Sequence, residues 1–167
     1  MRGKLLPVWG AVCALMLLGT HAHAFRSLKN AFMRVYPSAV NSILDDVPSR
    51  NDHCGVCHFD FSGGGTRNPY GEAVKLARDS GSYANDDEAI AAIGVDDSDG
   101  DLYSSGTEIT DLGAYSNTPT FPGLTAANVG SVNNVNAADL SGRLTPVPGN
   151  PVEPSTWGRI KALYASD

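Results

Sequence analysis

The stretch His53-Cys54-Gly55-Val56-Cys57-His58 decides how this chain is read. Two thiols stand three positions apart, and an imidazole follows the second at once. Residues three apart share one side of a helical turn. Both sulfurs can therefore face one ligand, with the imidazole beside them. How far this goes depends on which other soft ligands the chain of 167 residues holds.

That inventory is set by the N-terminus. Arg2 and Lys4 precede a near-continuous apolar run, Leu5 to Gly19, and Ala22-His23-Ala24 follows. A positive start, an apolar middle and a small-x-small site are the three parts of a secretory signal peptide, here expected to be cleaved after Ala24. The run is shorter than the ~20 residues a membrane span needs, and no later run is longer. The expected product is exported, periplasmic or extracellular, with no membrane span in the mature chain. Cleavage removes Cys13, His21, His23, Met1 and Met16. Cys54, Cys57, His53, His58 and Met33 remain, with ten basic and eighteen acidic residues for a net charge of −8. So acidic a chain has no surface for nucleic-acid phosphates.

C-x-x-C-H is the attachment signature of c-type haem. Cys54 and Cys57 are expected to bond the haem, and His58 to coordinate its iron from the proximal side. A zinc site would need two more ligands, and only His53 is at hand. A thiol-disulfide redox pair usually sits in a βαβ context, which is not visible here. A plain disulfide is the remaining rival. For the sixth iron position there is no Met or His after His58. His53, five residues earlier, falls on the same side of the haem as His58. Met33 is the sole thioether and the candidate sixth ligand, one that would raise the reduction potential. Lys side chains, the amine of Phe25, Tyr and an open site stay as alternatives.

From Asp86 to Asp111 there are nine acidic residues and no basic one. Within this run, Asp97, Asp99, Asp101 and Glu108 stand at the first, third, fifth and twelfth places of a calcium loop, with the Tyr103 carbonyl at the seventh. Calcium is the expected ion. The sixth place, where such loops want glycine for a sharp turn, holds Leu102. Glycine appears instead at Gly100, as in the D-x-D-G-D loops of thrombospondin type 3-like repeats. Since a β-carbon in a left-handed conformation costs ~1–2 kcal/mol, a different loop path is expected.

The pattern predicts a mainly α fold. Helices are expected over Phe25–Ala39, Ser38–Asp46, Tyr70–Ala77, Asp86–Ile93 with Asn85 as cap, and Ser155–Ala165. The chain divides into a signal peptide at 1–24, a helical domain at 25–113 holding the acidic loop at 97–108, a long irregular loop at 114–154 and a C-terminal helix at 155–167. The irregular stretch has only three charged residues, Asp139, Arg143 and Glu153.

The cysteine motif, then Asn68-Pro69-Tyr70-Gly71, then the acidic loop with Glu108 and Ile109, resembles small exported bacterial monohaem c-type cytochrome-like proteins. The resemblance covers roughly Phe32 to Gly123. It implies a small cytochrome c-like helical domain around one covalent haem. The leading expectation is an electron carrier rather than an enzyme, with an acidic surface that suits a redox partner's basic docking face. A haem-based sensor or peroxidase-like protein with an open sixth position is the alternative. A surface module stapled by haem and calcium is another.

Overall fold

The computed structural model describes residues 22–51, 53–110 and 118–147, without the side chains of residues 22–26 and 53. Four α-helices lie among them: α1 (Ala22–Val35), α2 (Pro69–Asp79), α3 (Asp86–Ile93) and α4 (Ser105–Thr110). The helix expected near the C-terminus and the signal segment up to residue 21 lie outside the described residues. The fold is mainly helical, as the apolar spacing implied. Extended pairing among the described residues is limited to isolated bridges, Val47 with Arg50, His58 with Arg67 and Asp60 with Asn133.

Two of the helices start for a local reason that the sequence shows. Asn85 caps α3, its side chain accepting from the Glu88 amide, and three acids fill the first turn, where the helix dipole favours them. Asn68 caps α2 in the same way and Pro69 takes the first position, where its missing N–H is no loss. The helix expected over Ser38–Asp46 does not form. A short 3-10 turn, Pro37–Ala39, ends in extended backbone at Val40. Asn41 is left-handed at φ 61°. The Ser42 hydroxyl donates to the Ala39 carbonyl and accepts from Leu44 N. Side-chain bonding of this kind competes with the helical ladder.

α3 packs against both α1 and α2. Their shared core holds Phe32, Tyr36, Tyr70, Val74 and Ile90, with the Phe32 and Tyr70 rings edge-on at 6.3 Å. Across the α1–α3 seam, Arg34 makes a two-pronged contact with Asp87 at 2.6 and 2.9 Å. Residues 118–147 carry two 3-10 turns, Val129–Ser131 and Ala137–Leu140, and no α-helix. This stretch still contributes to the core through Phe121, Leu124 and Leu140, each at most 1 % exposed. Among the described residues no helix is long and apolar enough to cross a membrane.

Candidate functional site

The cysteines sit on a 3-10 turn, His53–Val56, and the residues just after it. The amides of Cys57 and His58 both donate to the Cys54 carbonyl, at 3.1 and 2.9 Å. No disulfide joins the two thiols. Burial pushes the Cys57 thiol up to about 12, with Cys54 adding to the rise and Arg67 opposing it. While the turn stays closed, such a thiol is held in its unreactive protonated form at neutral pH. His58 is 8 % exposed. Burial lowers its pKa, a backbone hydrogen bond to Gly64 opposing. The ring is therefore neutral at physiological pH, the form that ligates metals.

What fixes this turn is the tract that follows it. The Asn68 side chain is fully buried. Its Nδ2 donates to the carbonyls of Gly55 and Val56 at 3.1 and 3.0 Å, while its Oδ1 accepts from Gly71 N at 2.9 Å. One residue thus starts α2 and clamps the middle of C-x-x-C. Gly71 brings α2 so close to the turn that a β-carbon there would stand 2.0 Å from the Cys57 carbonyl oxygen. Tyr70 is fully buried and its hydroxyl has no hydrogen-bond partner. Burial raises its pKa, followed by the nearby Cys57 and Tyr36. The arc 59–67 folds back over the cysteine side. Gly63, Gly64 and Gly65 all have positive φ, and a β-carbon on Gly63 would meet the Cys54 sulfur at 2.9 Å. A cleft of about 380 Å³ lies beside this arc, between Phe59, Asp60, Thr66 and Asn133. Cys54, Cys57 and His58 do not line it.

The donor set of two thiols and a neutral imidazole fits a covalently attached haem. So does the unpartnered Tyr70 hydroxyl near Cys57, a buried polar atom that calls for a partner. His58 is buried, and the cleft beside the arc does not reach it. Met33, on α1, is half-buried against the core.

The acidic loop lies between α3 and α4. Its ends are pinned where Gly106 N donates to the Gly94 carbonyl at 2.8 Å, and a β-carbon on Gly106 would stand 2.7 Å from that oxygen. Asp97 Oδ1 accepts from Gly100 N and Asp101 N, its Oδ2 from Leu102 N, and Asp101 Oδ1 accepts from Tyr103 N. These bonds bend the chain so that oxygens of Asp97, Asp99 and Asp101 gather within 4.8 Å. Leu102 itself takes the left-handed conformation, at φ 82°. The turn expected to be avoided for want of glycine at the sixth place is made there nonetheless, with the Leu102 side chain 91 % exposed. Tyr103 is half-buried.

Glu108 reaches this loop from inside the fold. It stands outside the 4.8 Å aspartate group but is fully buried. Burial first, then the charges of Asp99, Asp101 and Asp97, push its carboxyl up to about 9, against a hydrogen bond from Thr120. Burial and Asp101 push Asp99 up to about 7. Both oxygens of Asp99, Oδ2 of Asp101 and Oε2 of Glu108 are buried with no hydrogen-bond partner. Buried carboxylate oxygens without protein donors, converging from a loop and a helix, suit a hard cation with oxygen ligands.

Asn68, Tyr70 and Gly71 enter the sequence reading only as a motif of the resemblance, with no role assigned, and Thr120 does not enter it. For Asn68 a signal existed, since Asn before Pro is a helix start. That the same side chain also clamps the cysteine turn is tertiary.

No family model, no curated protein and no solved structure matches this chain.

Proposed function

We propose that this chain is an exported monohaem c-type protein that carries electrons, with a structural calcium ion in its acidic loop. Cys54 and Cys57 would hold the haem through thioether bonds and His58 would ligate its iron, with Met33 the thioether offered to the sixth position. Haem bound there supplies a one-electron iron couple. The chain's own residues do the rest. Asn68 fixes the turn that carries the thiols, and burial keeps His58 neutral and ready to coordinate. Asp97, Asp99, Asp101, Glu108 and the Tyr103 carbonyl would hold calcium, and the excess of acidic surface suits a basic redox partner.

The observation that carries this proposal is the Asn68 clamp on Gly55 and Val56, which presents both thiols and a buried imidazole from one turn. The test is co-expression with a cytochrome c maturation system, followed by haem staining on a denaturing gel. The unaltered chain is expected to keep its haem, and Cys54→Ala with Cys57→Ala to lose it. Haem that survives the double substitution, or never attaches to the unaltered chain, removes the proposal.

A further inference from the structure

We propose, resting on the calcium assignment above, that an ion in the acidic loop stiffens the Cys54–His58 turn through Thr120 and Gly123, so that calcium governs access to the two thiols.

Glu108 is the entry to this route. Its Oε2 is buried without a hydrogen-bond partner, and the charges of Asp99, Asp101 and Asp97 act on its carboxyl. The other accepts from the Thr120 hydroxyl at 3.1 Å, and the Glu108 carbonyl accepts from Thr120 N at 3.0 Å. Thr120 is 1 % exposed, so it has no water to turn to if Glu108 moves. From Thr120 two paths run to the same place. Its neighbour Phe121 sets its ring edge-on to Phe61 at 5.5 Å, and Phe61 presses on Gly55, where a β-carbon would meet the ring at 2.2 Å. Three residues on from Thr120, Gly123 lies against Asn68, where a β-carbon would stand 2.5 Å from Oδ1. Asn68 in turn holds the Gly55 and Val56 carbonyls. Both paths end inside C-x-x-C. Close-packed interiors transmit such constraints because they have few ways to deform. With no ion, the partnerless buried oxygens of Asp99, Asp101 and Glu108 favour local openings that let water reach them, and such openings expose the turn. With the ion bound, those openings are suppressed.

The test uses the full chain expressed without haem attachment and kept reduced, so that its outcome does not depend on haem. Calcium binding is measured by calorimetry, and alkylation of Cys54 and Cys57 by iodoacetamide is followed by mass spectrometry. Saturating calcium is expected to slow alkylation by about fivefold or more, the lower end of ordinary coupling between sites. Thr120→Val is expected to bind calcium yet lose most of that slowing, and Thr120→Ser to regain it. Amide hydrogen exchange at Gly55 to His58 in the unaltered chain reads the same coupling without any substitution. Calcium that binds and changes neither alkylation nor exchange overturns the inference and leaves the ion site standing. A Thr120→Val chain that still shows the full slowing overturns the Thr120 route. No calcium binding at all removes the ion site, and this inference with it.

Discussion

At the cysteine turn the buried carbonyls of Gly55 and Val56 are satisfied by Asn68, whereas in the acidic loop four carboxylate oxygens are buried with no partner. The first region owes its shape to the protein alone. The second is shaped by the chain but left electrostatically incomplete. A buried unsatisfied polar group costs ~1–3 kcal/mol, more when charged. The two regions should therefore respond oppositely. Damage to the turn comes from removing a protein group, and damage to the loop from removing an ion.

The sharpest way to break the contrast is Asn68→Ala. It deletes a helix cap, worth ~1 kcal/mol, and strands two buried carbonyls at ~1–3 kcal/mol. Urea unfolding in chelator should show a loss of about 3 kcal/mol. A loss below about 1 kcal/mol would mean that the clamp does not hold the turn.

Calcium removal comes next. Free ion at a hundred times Kd stabilises by ~2.7 kcal/mol, so chelator should lower the melting temperature by roughly 10 °C. Glu108→Gln should abolish most of that gap. In chelator the same substitution should cost little, because a carboxyl pushed up to about 9 is already protonated at neutral pH. A Glu108→Gln chain that keeps the full calcium response takes Glu108 out of the site.

The pH dependence sharpens the contrast further. In chelator, folding raises Glu108 from 4.5 to about 9 and Asp99 from 3.8 to about 7. The folded state then binds more protons than the unfolded one between those limits, so stability falls as pH rises. The decline should begin near pH 4 to 5, as the unfolded carboxyls ionise, and end near pH 9. Its slope is at most ~1.4 kcal/mol per pH unit for each group. With calcium bound, denaturant melts should lose this slope. A chelated protein that is most stable at pH 9 contradicts the assigned electrostatics.

The smallest effect belongs to Leu102→Gly. Leu102 is left-handed and 91 % exposed, so glycine relieves ~1–2 kcal/mol of steric cost, less the entropy that glycine loses on folding. A gain in stability below 1 kcal/mol and tighter calcium binding are expected. Weaker calcium binding would show that the side chain, not the backbone, matters there.

What could be read before any fold was known follows spacing. The three-residue interval of Cys54 and Cys57, the alternating aspartates and the Asn85 cap are local patterns, and each places its residues on the turn, loop or helix it suggests. The Ser38–Asp46 helix failed because apolar spacing cannot weigh Ser42's bonds to its own backbone or the left-handed Asn41. Leu102 shows the reverse. Hydrogen bonds from the loop amides to Asp97 hold a conformation that the residue type alone disfavours. Thr120 and Gly123 stand in a low-charge stretch without periodicity. Their importance lies in contacts with Glu108 and Asn68, twelve and fifty-five positions away, and no local pattern carries such distances.

The measurement that bears most directly on the proposed function is the absorption spectrum of the chain matured with haem, oxidised and reduced, with and without carbon monoxide. The account predicts covalent haem whose reduced spectrum is unchanged by the gas, meaning two firm axial ligands and a carrier of electrons. A spectrum that shifts on adding carbon monoxide contradicts it and points to a sensing or catalytic iron. A chain that matures without haem leaves Cys54 and Cys57 as ordinary thiols beside a cation loop.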